Sequence, residues 1–367
     1  MQTRTIIVAV VLAVQASAAL GEVKYTITDL GILPGGSESF AYGINNSGQI
    51  VGYASVSNAH AFLYSSGVMT DLSAALGALG NSLAYDINDS GQIVGYASVS
   101  NAHAFLYSSG VMTDLGTFGG SQSIAYAINN SGQIVGQANT PSDDAHAFLY
   151  NGGVMSDLGN LPGFGVRSSA TDINDSGQIV GWSYSVGDDN YHAFLFSGSV
   201  MTDLSALGGS HGGWASAINN SGQVVGYNTD ATGGMHAFLY SGGMMSNLEN
   251  IIGLQSYAED INSTGQIVGW AYGGSGPSAF LYSGGNIINL NSLIDPASGW
   301  TLLRANAIDD NGQIVGSGVN SWGQTVAFLL TPVPEPATLS LLALGGLAVL
   351  RRRSGQVLRR RERLAQN

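Results

Sequence analysis

The chain has 367 residues, no cysteine, 53 glycines and only 10% charged residues, enough length for a sizeable core but no means of disulfide or thiolate chemistry. Its formal charge of −13 is unevenly placed, because Arg4 and the seven arginines after Leu350 sit at the two ends. Between the ends only Lys24, Arg167 and Arg304 face 22 acidic residues, a formal −19, so the body lacks the basic footprint that nucleic acid or an anionic membrane surface requires and suits cations instead.

The first element in chain order is a targeting segment. Residues 1–18 combine a positive start at Arg4, an apolar run over residues 6–14 and an A-x-A signal at Ala16-Ser17-Ala18. That order is expected of a secretory signal peptide, with the mature chain beginning near Ala19. The absence of cysteine fits a bacterial surface protein at least as well as a cytosolic one.

A repeat follows. The string GQ(I/V)VG begins at Gly48, Gly91, Gly132, Gly177, Gly222, Gly265 and Gly312, with spacings of 43, 41, 45, 45, 43 and 47 residues. Residues 47–72 and 90–115 are identical letter for letter. Each unit holds four apolar runs of strand length, in the second copy "SLAYDIN", "GQIVGYAS", "HAFLYSS" and "VMTDL", separated by Asn, Asp, Ser and Gly. Such runs read as strands joined by hairpins. Four short strands in about 44 residues are the pattern of a β-propeller blade.

The ends of the array predict how it closes. The (T/S)(D/N)L strand occurs first at Thr28-Asp29-Leu30, ahead of any GQIVG, and is missing after the seventh "AFL" at Ala327-Phe328-Leu329. One set is thus split between the termini. The expectation is an all-β, seven-bladed propeller over residues 19–331, in which "YTITDLG" completes the last blade. An open solenoid would need polar caps instead. INNSGQIVG is then scaffold, a hairpin corner used seven times, and turn chemistry accounts for the N-x-S/T sequons it contains.

The last 36 residues, 332–367, are a third segment. "VPEPATLSLLALGGLAVLRRR" places Pro334-Glu335-Pro336 before an apolar run over residues 337–350 and Arg351-Arg352-Arg353. Fourteen apolar residues fall short of the roughly 20 that span a bilayer comfortably, and the basic flank marks a cytoplasmic end. This tail resembles the PEP-CTERM sorting signal of Gram-negative bacteria. The resemblance implies transient inner-membrane anchoring, recognition by an exosortase, removal of the tail and display at the cell surface or in the extracellular matrix. The wording "HAFLYSSGVMTDLG" and its neighbours over residues 23–330 also resembles the HAF repeat family of bacterial extracellular proteins, which implies export but no activity.

Candidate site residues follow from topology. In an up-and-down blade, one face carries the monotonous NNSG and SSG turns, and the other carries the varied two-to-three loops and blade connectors. Binding residues usually sit on varied loops held by a rigid scaffold. On that face Asp143, Asp144, Asp188, Asp189 and Asp230 offer oxygen ligands for calcium, although no D-x-D-x-D-G loop is present and solvated loop tips are the plainer reading. Trp182 and Trp270, after GQIVG, either stack on sugars or fill the wedge between blades. His60, His103, His146, His192 and His236 recur before Ala-Phe, too far from the axis to share a metal. Gly208 to Gly212 matches G-x-S-x-G but lacks a strand-to-helix elbow.

The leading expectation is a non-catalytic, exported binding or structural module with no required cofactor. Its competitor is a propeller enzyme acting on extracellular polysaccharide through Asp188, Asp189 or Asp295, which would require two carboxylates about 5 to 9.5 Å apart in one cleft. Calcium-dependent adhesion is a third reading.

Overall fold

Each repeat alternates β-branched and aromatic residues with Asn-Ser-Gly punctuation, and in a computed structural model each repeat becomes one four-stranded antiparallel sheet. The structure describes residues 24–334, apart from 76, 78, 79, 99, 100, 164, 188, 206–211, 249–254, 274 and 275. The expected signal peptide, Glu335, Pro336 and Arg351 to Arg353 lie outside the described residues. Tyr25–Pro332 forms one unit, a propeller of seven blades.

In the first blade the strands Glu38–Ile44, Ile50–Ser55, Ala59–Ser65 and Val68–Asp71 pair in that order from the axis outward. The other blades copy this arrangement. The seventh takes three strands from the end of the array, Thr301–Ile308, Ile314–Val319 and Thr325–Pro332, and its fourth from the start, Tyr25–Asp29. Tyr25 lies opposite Pro332 and Asp29 opposite Phe328 in an antiparallel ladder. The ring is therefore closed as the split array requires, by backbone hydrogen bonds between residues about 300 positions apart.

The core lies between blades. The Phe of every HAF-type motif, Phe62, Phe105, Phe148, Phe194, Phe238, Phe280 and Phe328, is fully buried, as are Ile50, Ile93, Ile134 and Ile179 of the second strand. Each apolar cluster draws on two neighbouring blades; the one joining the last blade to the first holds Ala307, Val315 and Ala327 together with Leu30, Ala41 and Ile50. Burial of this kind gains roughly 25 cal/mol per Å² of apolar surface, but it is non-directional. Specific register between blades comes from polar side chains.

The turn asparagine supplies it. Asn45 is 3% exposed; its Oδ1 accepts from the Ser47 and Gln49 N–H groups at 3.1 and 3.0 Å, and its Nδ2 donates to Gln49 Oε1 at 2.8 Å and, across the blade boundary, to the Asn88 carbonyl at 3.0 Å. The same bridge runs from Asn88 to Asn129, Asn174, Asn219, Asn262 and finally the Asp309 carbonyl. Asp309 has no amide to pass on, and Asn311 Nδ2 makes the closing bond to the Asn46 carbonyl at 3.1 Å. A serine does the same work at the other end of the inner strand: Ser39 Oγ accepts from the Ala327 N–H at 2.9 Å and donates to the Gly31 carbonyl at 2.6 Å.

Two glycines of GQIVG have separate reasons. Gly48 closes the turn at φ +74°, a left-handed conformation that L side chains rarely adopt. In Gly52 a Cβ would meet the Phe40 carbonyl oxygen at 1.9 Å, because the inner strand bulges opposite it.

Asn129→Ala would leave two part-buried turn N–H groups without their acceptor and cut a buried bridge to the Asn174 carbonyl, so it is expected to cost about 1–3 kcal/mol of stability. Exposed Ser131→Ala, in the same turn, is expected to change stability by less than about 0.5 kcal/mol. Chemical denaturation of the two variants checks the contrast.

Candidate functional site

The bulge that demands Gly52 also makes the wall of the central channel. In every blade the pairing of the first two strands slips at one shared position, between Ala41 and Gly43 in the first and at the same place in the others, and the seventh slips a second time between Leu302 and Arg304. A bulge leaves its extra residue unpaired and re-aims the side chain. The seven bulge residues are Tyr42, Tyr85, Tyr126, Thr171, Ser216, Glu259 and Asn306, and they line a channel cavity of about 140 Å³. The residue at this position changes from blade to blade while the bulge is kept. Some of these residues still join blades: Thr171 Oγ1 donates to the Ala215 carbonyl at 2.8 Å and Asn306 Nδ2 to the Ala41 carbonyl at 2.7 Å.

The next position reads Gly43, Asp86, Ala127, Asp172, Ala217, Asp260 and Ala307, so carboxylates stand in alternate blades. Each accepts from its own strand and from the blade that follows. Asp172 Oδ1 takes the Ile173 N–H and Oδ2 the Ile218 N–H, both at 2.7 Å. Asp86 does so with Ile87 and Ile128, and Asp260 with Ile261 and Ile308. Burial outweighs these donors: it pushes Asp172 up to about 8 and Asp260 up to about 6, with added repulsion from the other carboxylates of the ring. Burial raises Asp86 too.

The mouth on the turn face is a polar collar. Asn46, Asp89, Asn130, Asp175, Asn220, Ser263 and Asp310 line an opening of about 180 Å³ and bond around it: Asn46 Nδ2 to Asp89 Oδ2 at 3.1 Å, Asn220 Nδ2 to Asp175 Oδ2 at 2.9 Å, and the Asp310 N–H to Asn46 Oδ1 at 3.0 Å. From Asn46 to Asn220 amides alternate with carboxylates, so neighbouring donors and acceptors satisfy one another.

The loop face is different. There an arc of aromatic rings runs across the fourth to sixth blades. Tyr184 meets Tyr191 at 5.3 Å between centroids, Tyr191 meets Trp182 at 5.0 Å, and Trp182 meets Trp214 at 5.0 Å. The chain of rings continues through Tyr227 and Tyr257 to Trp270, stacked on Tyr257 at 4.1 Å. Trp270 Nε1 donates to Glu259 Oε1 at 2.6 Å, and the Arg304 guanidinium lies 4.2 Å from the Trp270 ring centroid. Burial raises the Glu259 carboxyl despite both partners. Tyr191 and Tyr272 are 46% and 42% exposed, whereas Trp182 and Trp270 are 9% and 7% exposed. The two tryptophans singled out from sequence therefore form the inner side of the arc, and tyrosines form its solvent side.

At the Tyr184 end lies a cleft of about 550 Å³ lined by Asp144, Val166, Arg167, Tyr184, Asp189 and Tyr191. It brings together two of the sequence candidates, Asp144 and Asp189. The Tyr184 hydroxyl donates to Asp189 Oδ1, and Ser142 Oγ donates to Asp144 Oδ2 at 2.9 Å. The remaining candidates are separate. Asp143 Oδ1 accepts from Ser121 Oγ, the Ser121 N–H and Asn139 Nδ2, and these hydrogen bonds lower its pKa. Asp230 pairs with His236 Nε2 at 2.8 Å and accepts from Thr232 and Gly234, which hold its carboxyl far below the usual range. Asp188 lies outside the described residues, and Asp295 caps a short 3-10 turn by accepting from the Ala297 N–H. Among the described residues no group of three or more His, Asp or Glu is arranged to hold a metal ion.

The recurring histidines belong to the blades. His60, His103, His146 and His192 pair through Nδ1 with Asp71, Asp114, Asp157 and Asp203 of the outermost strand at 2.8–3.0 Å. Where that aspartate becomes Asn247, His236 turns to Asp230 instead.

Sequence reading missed Arg167, Tyr184, Tyr191, Trp214, Tyr257 and Arg304, as well as the carboxylate ring. A signal for the ring was present: the dipeptide before the turn Asn, or before Asp309 in the last repeat, reads G-I, D-I, A-I, D-I, A-I, D-I and A-I. No pattern in the sequence joins Tyr191 to Arg167, since the cleft is built by three strands and three loops.

A family model described as "Protein of unknown function (DUF3466)" matches residues 77–161 and 165–325, and a PEP-CTERM protein-sorting motif matches residues 332–354. That motif marks an exported protein anchored transiently in the membrane, of the class sorted by exosortases. No curated protein matches the chain. Among solved structures, the β-propeller domain of the Trilobed protease from Pyrococcus furiosus has a TM-score of 0.50 at 10% identity, over 69% of this chain and 84% of that one. It is described as having an open velcro topology; here the first and last strands pair. TolB from Acinetobacter baumannii scores 0.44 at 11% identity over 76% of each chain. The six-bladed lectin of Aleuria aurantia scores 0.36 at 12% identity, over 86% of this chain and 99% of that one. The first likeness is one of fold, and the others are weaker.

Because the folded pKa values of Asp172 and Asp260 lie above the ordinary 3.8, the folded state holds these protons longer than the unfolded chain does. The stability this linkage contributes is complete at the acid end and lost as pH rises through the folded values. The melting temperature is expected to fall between about pH 4 and pH 8, and Asp172→Asn to flatten that decline. Calorimetry across the range measures the slope.

Proposed function

We propose that this chain, which belongs to the family described as protein of unknown function (DUF3466), is a non-catalytic module that binds extracellular polysaccharide at the cell surface or in the matrix. The reading includes the HAF-repeat identity suggested by its "HAFLYSSGVMTDLG" wording. The observation that carries it is the run of packed aromatic residues on one arc of the loop face, beside an open cleft with an arginine and two carboxylates. Flat apolar rings bordered by a few polar groups suit the apolar faces and hydroxyl edges of sugars. The repeated polar residues are occupied in joining blades, which leaves the varied face for a ligand.

A second reading, polysaccharide hydrolysis, has one favouring observation: Asp144 and Asp189 line the same cleft. Each of them accepts from a neutral hydroxyl.

Purified chain is expected to bind at least one member of a polysaccharide panel, with no release of reducing ends and no effect of a chelator. Tyr191→Ala should weaken that binding by about 2 kcal/mol, roughly thirtyfold, the loss typical of an aromatic anchor. Binding that survives this change intact would remove the reading, and reducing-end release abolished by Asp144→Asn or Asp189→Asn would favour the hydrolase.

A further inference from the structure

We infer that the cleft at Tyr184 and Tyr191 takes an ammonium group, so that the polysaccharide bound there is one carrying free amino sugars. This rests on the binding reading above and names the chemistry within it. The first observation is the arrangement of the rings. Tyr184 and Tyr191 are inclined at 57°, and Tyr191 meets Trp182 edge-on at 88°. A sugar stacked flat wants one open ring face, whereas non-parallel rings make a corner, the arrangement that surrounds an organic cation with electron-rich faces. The corner opens on the cleft, where Tyr191 is 46% exposed.

The second observation is charge. The cleft sets two carboxylates, Asp144 and Asp189, against one guanidinium, Arg167. Asp189 is bonded to the Tyr184 hydroxyl, which ties an acceptor to the edge of the corner. Around it the exported body has only three Lys and Arg for 22 acidic residues, so a polyanion is repelled at long range while a polycation is drawn in. Arg167 then serves the neutral parts of such a polymer, donating to hydroxyl or acetyl oxygens.

The test compares glucosamine hexamers with N-acetylglucosamine hexamers of equal length, and with an oligouronate, on the purified chain at mildly acidic pH where the sugar amine is charged. The glucosamine hexamer is expected to bind about tenfold more tightly than its acetylated counterpart, a margin in the range of a partly desolvated cation on aromatic rings, and to weaken as salt rises. The oligouronate should not bind. Asp189→Asn, which the left-handed backbone there (φ 60°) tolerates, should bring the two hexamers towards parity without loss of fold by circular dichroism. Equal affinities in the unaltered chain, stronger binding of the oligouronate, or a preference that Asp144→Asn and Asp189→Asn together leave intact would each overturn the inference. If the acetylated hexamer or a neutral glycan binds in a Tyr191-dependent manner without amine preference, the ammonium site falls and the binding reading stands. If neither hexamer binds and Tyr191→Ala alters no glycan binding, both fall.

Discussion

One amide side chain sets the terms for the rest of this molecule. The asparagine at six of the seven inner turns uses its oxygen for two N–H groups of its own turn, and its nitrogen for its own glutamine and for the carbonyl of the next blade. It is buried, so any donor or acceptor left unmet would cost more than the bond itself contributes. An aspartate cannot make the outgoing bond and a serine cannot make all four. That requirement, copied from blade to blade, accounts for the near-identity of the INNSGQIVG corner, and it leaves the asparagines no free amide for any other role.

An odd number of blades puts strain on a second regularity. Carboxylates at Asp86, Asp172 and Asp260 occupy even blades, and each binds the N–H of the blade after it. Seven blades cannot alternate all the way round. At the seam, the seventh and first blades both lack this carboxylate, carrying Ala307 and Gly43. Other residues take over there: Asn306 reaches the Ala41 carbonyl, Asn311 the Asn46 carbonyl, and Ser39 the Ala327 N–H. The seam is thus closed by two asparagines that depart from the repeat, Asn306 and Asn311, by the repeated serine at Ser39, and by the backbone ladder of Tyr25–Asp29 with Thr325–Pro332.

With the turn face occupied by joining blades, the loop face is where residues can differ. The arc from Tyr184 to Trp270 spans only part of the ring, and the second and third blades carry Leu83 and Ile124 where the fifth and sixth carry Trp214 and Tyr257. Binding surfaces on repeat folds arise in this way, by variation over a constant frame. Both arginines of the body that lie on inner strands, Arg167 and Arg304, stand beside this arc, a placement with consequence in a chain so poor in cations.

By itself the sequence determined the strand count, the seven blades and the closure, because a period of about 44 residues and a strand split between the termini are written locally, and short-range turn chemistry enforces them. It also placed Asp144 and Asp189 on the variable face. Only the tertiary structure decided that these two carboxylates share a cleft with Arg167 and two tyrosines, that Trp182 and Trp270 turn inward, and that a bulge aims three tyrosines and four other polar residues into the channel. The reason is physical: a one-residue slip in register redirects a side chain without altering the apolar pattern that reveals the strand, and a cleft between blades joins residues whose only relation is the rotation from one sheet to the next.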